Sequence, residues 1–448
     1  MHVKSRWNKI PFDPKKIPFF YGWVILFAST VGILVSAPGQ TMGVSTFTDH
    51  LLENIGISRN QLSLAYMIGT IASSLVLTYA GTLYDKYGAR WVGMTISLSL
   101  ATVLVLLSQS DHIVRLFLSN TSSTLYAGVA MAILILLFFM LRFSGQGVLT
   151  MVSRNMLMKW FDSRRGLVNG ISSVFVALGF SMAPLTFDML IQSTSWSSAW
   201  LIMAVSIGIF FTLFVFLIFR DNPEDLDMPP DGEKHAEKNK NRKPRHIKEF
   251  TLKEARGTLT FWLFAIPLAL FALYITGFTF HLISIFEASD MDRDKALAVF
   301  IPISIISVTI SLVGGWISDR IKLKYLLYLI LAGQVIALAS LGKLNDGIYY
   351  YTFIAGNAIV NGLFNVLMAV TWPRFYGYKH LGKITGFVMA LTVFGSALGP
   401  VMYSFSFTKL GNYSYAFFGL AALAAVLLSI SFKADNPQDK LENLPENG

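Results

Sequence analysis

Two things are scarce in this 448-residue sequence: cysteine, of which there is none, and charge, which only 14% of residues carry. Without cysteine there is no disulfide framework, no thiolate nucleophile and no thiolate metal site. A soluble domain is about 25% charged. With 54% hydrophobic residues and a mean hydropathy of +0.56, this chain cannot cover itself with polar surface in water. Its solvent is largely lipid. No Gly-x4-Gly-Lys-Ser/Thr loop is present to cradle a nucleotide phosphate, and no His-Glu-x-x-His or clustered ligand set to hold a metal. Neither cofactor nor metal is expected, and nothing points to an enzyme.

What is present is a series of apolar runs of the length needed to cross a bilayer core. Twelve are predicted, near 20–47, 60–81, 91–110, 125–151, 166–190, 197–219, 261–286, 296–317, 325–342, 348–371, 384–407 and 413–432. Closed helices are the economical way for a backbone to cross lipid, so the expected class is an all-α membrane protein. The first run is too long for a signal-peptide core and reads as a retained helix.

The net charge of +10 is a matter of topology. With the N-terminus inside, 29 of the 36 Lys and Arg fall in cytoplasmic segments, six on the opposite side, and one, Arg142, inside a span. This bias predicts both termini in the cytoplasm of an inner-membrane protein, and it leaves no nucleic-acid patch. The polar stretch Arg220 to Arg256 divides the spans six and six. The expected organisation is a tail over 1–19, a bundle over 20–219, a linker over 220–260, a second bundle over 261–432 and a tail over 433–448.

The halves echo one another. Gly170, Gly179 and Pro184 in the fifth span are answered at the same separations by Gly386, Gly395 and Pro400 in the eleventh. Arg142, Gln146 and Gly147 are answered by Asn357, Asn361 and Gly362, and Gly81-x3-Asp85-Lys86 by Gly315-x3-Asp319-Arg320. Internal duplication marks secondary transporters, whose solute site lies near the midplane between repeats.

GTLYDKYGARW (81–91) resembles the loop between helices two and three of the major facilitator superfamily. Gly81, Leu83, Asp85, Lys86 and Gly88 match in place, and Arg90 falls one position late. GGWISDRIKLKY (314–325) resembles its second-half copy, and LRFSGQG (141–147) the fourth-helix motif. The resemblance implies twelve helices in two pseudo-symmetric six-helix bundles. It also implies a conformational gate at Gly81, Asp85, Lys86, Gly88, Arg90, Asp319 and Arg320, whose carboxylate latches the cytoplasmic helix ends. WFDSRRGLVNG (160–170) and YGWVI (21–25) are similar to the monocarboxylate and oxalate/formate branch. That branch commonly binds carboxylate through an eighth-helix arginine, and the run 296–315 carries no charge at all.

Charges at membrane depth usually face a cavity or a partner. Arg142, with Gln146 one turn on, is either an anion- or proton-linked residue or a structural latch to Asp85 or backbone carbonyls. Asn357, Asn361 and Asn365, at i, i+4 and i+8, form either a wet stripe or packing glue. Pro38 and Gly39 predict a break in the first span that sets Gln40 and Thr41 beside freed carbonyls; a packing kink is the alternative. Pro184 and Pro400 are further kink positions. His281 is a proton acceptor or an interfacial side chain, and Tyr274 a solute donor or a packing residue.

The expectation is a secondary active transporter of a small solute, a proton-coupled carrier of a monocarboxylate-like organic anion, working as a monomer in the lipid bilayer. The alternative is an exporter of drug-like or siderophore-like compounds. Against that reading, the glycine pair that trails the prolines in the antiporter motif is replaced by Leu185-Thr186 and Val401-Met402.

Overall fold

The computed structural model describes residues 10–116, 123–232 and 248–442; the middle of the linker, 233–247, and the outer tails lie outside the described residues. Among the described residues every regular element is helical, so backbone donors and acceptors are satisfied within each span, as lipid requires. Among the described residues ten helices are long and apolar enough to cross a membrane, and one of them, Asn60–Ser108, holds both the second and third predicted spans. The first span is made of shorter pieces: Gly22–Val35, a 3-10 turn Ala37–Gly39, and Thr41–Ile55. Together these give the twelve crossings.

The sequence predicts a loop between the second and third spans, but the chain turns there at a single residue. Gly88 has φ 84° and ψ 174°, with helix on both sides. Only glycine enters that region without steric cost.

By contact the chain forms two compact units. The first is Met1–Trp160, Phe175–Asn239 and Thr385–Ala390; the second is Phe161–Val174, Lys240–Ile384 and Leu391–Gly448. The start of the fifth-span helix thus packs within the second unit. Gly166 and Gly315 approach so closely that a β-carbon on either would meet the other's carbonyl.

In the first unit the fourth span is not a plain helix. Ser123–Leu141 passes into a π-helical segment, Arg142–Leu149, and returns to α-helix over Thr150–Trp160. The Thr150 hydroxyl reaches back to the Gly145 carbonyl at 3.4 Å. Gly145 lets this segment touch the broken first span, since a β-carbon on Gly39 would sit 2.7 Å from its Cα.

The end of this unit where the first span begins is tied by two buried arginines. Arg90 donates to the carbonyls of Phe219 and Ile10, and Arg220 to those of Leu217, Phe219 and Phe12, so the chain ahead of the first span is threaded beneath the bundle. The Asp221 carboxylate accepts the N–H groups of Ala89 and Arg90 where the third-span helix begins. Burial pushes this carboxyl up, and those N–H bonds and the nearby Lys159 draw it back. A helix start is where an anion is best placed.

The second unit holds its ends differently. The buried Gln438 side chain pairs with both polar groups of the Lys248 backbone and donates to the Phe375 carbonyl at 2.9 Å. Glu249 accepts from Tyr378 N and Lys379 N. Thr251 and Glu254 form a capping box on the helix Leu252–Arg256. The backbone and hydroxyl of Thr251 hold the Glu254 carboxyl down at about 2. The cap's contribution is therefore full above the ordinary value of 4.5 and fades as pH falls toward 2.

Gly88→Ala is expected to lower the thermal midpoint of the purified protein by an amount equivalent to about 2 kcal/mol or more. The left-handed backbone is strained for alanine, and its methyl would displace the Asp221 carboxylate. A midpoint unchanged from wild type would show that this turn is not a point of strain.

Candidate functional site

The fourth-span arginine lies buried within the first unit. Arg142 is 1% exposed, and its Nη1 donates to the Gly39 carbonyl at 3.0 Å. That carbonyl is available because Pro38 breaks the first span there. The Tyr66 ring covers the guanidinium at 5.2 Å, and the Tyr66 hydroxyl donates to the Thr41 hydroxyl at 3.0 Å. Nε of Arg142 is buried without a hydrogen-bond partner, as is Oε1 of Gln146. Among the described residues no carboxylate forms an ion pair with Arg142.

Gln40 sits at the edge of this group. Its amide donates to Ser36 Oγ at 3.0 Å and lies 3.5 Å from Thr150 Oγ1. The broken first span, the π segment and Tyr66 thus gather Gln40, Thr41 and Arg142 into one polar cluster, with the Gln146 backbone packed against Gly39. A π-helical insertion of this kind recurs at functional sites. Tyr66 escaped the sequence reading, since a single tyrosine in an apolar span looks like packing.

The second unit carries its own network. Tyr274 donates to Asn357 Oδ1 at 2.7 Å, Tyr403 donates to the Tyr274 carbonyl at 3.1 Å, and Asn357 Nδ2 is buried without a partner. His281 caps the end of the seventh-span helix, with Nε2 3.0 Å from the Pro400 carbonyl. A carbonyl only accepts, so Nε2 carries the proton and Nδ1 faces the Tyr413 hydroxyl at 3.5 Å. Tyr413 in turn meets Ser284 Oγ at 3.0 Å. The three asparagines do not act alike: Asn365 offers its carbonyl to the Asn169 amide at 3.1 Å, and Asn361 is half-buried between them. Pro184 and Pro400 lie inside the helices Arg165–Ser193 and Leu381–Leu410.

Of the gate residues, Asp319 has the clearest geometry. Its carboxylate accepts Gly166 N–H at 2.9 Å and Leu167 N–H at 3.0 Å, at the start of the fifth-span helix, and pairs with Arg374 at 3.3 Å. Burial pushes the Asp319 carboxyl up, while those N–H groups and Arg374 pull it back. Arg374 also donates to the Ser318 carbonyl at 2.6 Å, a role the sequence reading missed. Arg320 turns away from Asp319 and lies over the Trp316 ring at 3.8 Å. Lys86 lies over Tyr87, Asp85 is half-buried, and Gly81 is buried in the helix. Arg90 and Gly88 serve the Asp221 turn described above.

A family model described as Major Facilitator Superfamily matches residues 29–377. Over 447 residues the chain is 24% identical to the probable sulfoacetate transporter SauU of Cupriavidus necator, covering 93% of this chain and 94% of that protein. It is 25% identical to human monocarboxylate transporter 10 over 58% of this chain and 50% of that one. Among solved structures it is similar to the proton:xylose symporter XylE, with a TM-score of 0.64 at 14% identity, covering 94% of this chain and 99% of that one.

Asp319→Ala leaves two buried N–H groups and Arg374 without their acceptor, which costs a few kcal/mol. With no native cysteine to interfere, a single Asn169→Cys thiol, at a position 5% exposed in wild type, reports whether the Gly166 end of the helix parts from Gly315. Its maleimide labelling is expected to rise about tenfold on adding Asp319→Ala; an unchanged rate would deny Asp319 any latching role.

Proposed function

The chain belongs to the Major Facilitator Superfamily, and from that premise we propose that it carries a small organic anion by proton-coupled alternating access. That it is a multi-pass membrane transporter of a small molecule, and not an enzyme, follows from the family, the fold and the relatives together. The finer reading rests on one observation: Arg142 is buried and, among the described residues, has no counter-ion.

A guanidinium at membrane depth without a partner costs several kcal/mol. One carbonyl, that of Gly39, answers only part of it. An anionic solute supplies the missing charge, and guanidinium geometry suits a carboxylate or sulfonate. The Thr41 hydroxyl, held by Tyr66, offers a polar contact, and the Tyr66 ring shields the charge when no solute is bound. The relatives' names, a sulfoacetate and a monocarboxylate transporter, lie in the same chemical class.

The coupling proton is assigned to His281. Its Nδ1 is the unprotonated nitrogen, so a proton arriving there reverses the Tyr413 and Ser284 hydroxyl directions without moving a heavy atom. Tyr274 and Asn357 line the path in the second unit, with Asn361 and Asn365 beyond. We place the protein in the inner membrane, termini cytoplasmic, on the strength of the lysine and arginine bias.

The test is uptake of labelled acetate, lactate and sulfoacetate into proteoliposomes with and without an inward proton gradient. Arg142→Gln is expected to lower uptake at least a hundredfold, as about 3 kcal/mol of charge-assisted bonding is lost, and Arg142→Lys to retain part of it. Full uptake by Arg142→Gln across a pH range would sink the anion assignment. His281→Gln is expected to remove the gradient dependence while leaving equilibrium exchange; an intact gradient response would reassign the proton.

A further inference from the structure

Each six-helix half ends its last helix with the same short pattern. Asp221-Asn222-Pro223-x-Asp225 follows the sixth span, and Asp435-Asn436-Pro437-x-Asp439 follows the twelfth. Each turn comes down beside the start of the third helix of its own half, at Arg90 in one case and Lys324 in the other.

What the two turns do there differs, and the sequence says why. In the first unit the Asp221 carboxylate fills the helix start, taking the N–H groups of Ala89 and Arg90. It fits because residue 88 is a glycine, and a β-carbon there would collide with it. In the second half the positions that answer Gly88, Ala89 and Arg90 are Lys322, Leu323 and Lys324. Lys322 has ordinary extended backbone, φ −68° and ψ 131°, where Gly88 has a positive φ. Asp435 instead pairs with the Lys324 ammonium at 2.6 Å, and no side chain caps the helix Leu323–Leu341.

The position held by a carboxylate in one copy is therefore open in the other. A cavity of about 300 Å3 lies there, lined by Arg320, Lys322, Lys324 and Arg374 on the basic side. Three carboxylates also border it, Asp319, Asp435 and Asp439. Asp319 pairs with Arg374 and Asp435 with Lys324. Arg320 and Lys322 have no ion-pair partner among the described residues.

We propose that this cavity binds a phosphate-type oxyanion, taken either as free phosphate or as the headgroup of an anionic lipid. A tetrahedral oxyanion presents several acceptors at once, which suits guanidinium, ammonium and backbone donors converging from different elements. A lone carboxylate leaves most of the 300 Å3 unfilled. The exposed Trp316 and Tyr325 flank the basic residues as interfacial aromatics do, which brings a lipid headgroup within reach. The site is independent of the transported solute.

The test is the thermal midpoint of the purified full-length chain. One arm adds inorganic phosphate against chloride at matched ionic strength; the other adds phosphatidylglycerol against phosphatidylcholine in mixed micelles. A rise in the first arm, the second or both is expected, and the arm that responds identifies the source. The double variant Arg320→Gln/Lys322→Gln, at two exposed positions that leave the core untouched, is expected to weaken the apparent Kd about tenfold or more. Arg320→Lys/Lys322→Arg keeps the charges and is expected to retain the response. No rise with either probe overturns the proposal, as does a rise that chloride reproduces or that the neutral double variant preserves in full.

Discussion

The uncompensated charge of Arg142 organises much of the first unit around it. A guanidinium cannot lie at membrane depth without donors satisfied and charge shielded. The chain meets that demand by breaking two helices: Pro38 frees the Gly39 carbonyl in the first span, and the π segment turns Arg142 toward it in the fourth. The close approach of Gly39 and Gly145 is a consequence, since neither backbone reaches the other past a β-carbon. Tyr66 completes the shield with its ring face, the weakly negative surface an aromatic offers a cation. What stays unmet is Nε and the charge itself, and a stable protein tolerates that shortfall most readily where a ligand removes it.

The same economy governs the helix ends. A helix start exposes N–H groups that must find acceptors, and three acidic residues supply them, each within its own unit. Asp221 serves the third-span helix, Asp319 the fifth-span helix, and Glu249 the turn before the eleventh. These contacts join segments far apart in sequence without large apolar area, and polar contacts of that kind are easier to break and remake than a packed core. Asp319 is the informative one. Its burial works against its charge, and its two N–H donors and Arg374 work for it.

Much of this was legible in the sequence. The spans followed from hydropathy because lipid permits so few backbone solutions, and the family from glycines and acids whose spacing is fixed by tight turns. The break at Pro38 was legible because proline cannot donate, and from it came the reading of Gln40 and Thr41 as polar groups beside a freed carbonyl. Tyr66 and Arg374 were not legible: each acts through a partner distant in sequence, and neither stands out by type. The π winding of Arg142–Leu149 was hidden as well, since it depends on tertiary contact with the first span rather than on local propensity. The repeated Asp-Asn-Pro turn was in plain sight, yet only the structure shows that one copy fills a helix start and the other does not.

That asymmetry bears on how a duplicated transporter diverges. Two halves with one ancestry share the demand that helix starts be capped, but one substitution at a turn changes how it is met. Glycine at 88 admits the chain's own carboxylate and closes the question inside the first unit. With lysine at 322 no side chain caps the helix, a positive charge is added, and a cavity lies beside its start. The buried polar groups differ in the same way. Arg142 in the first half corresponds to Asn357 in the second, a charge held by one backbone carbonyl against an amide that accepts a tyrosine hydroxyl. Symmetry supplies the scaffold twice, and departures from it change where charge lies.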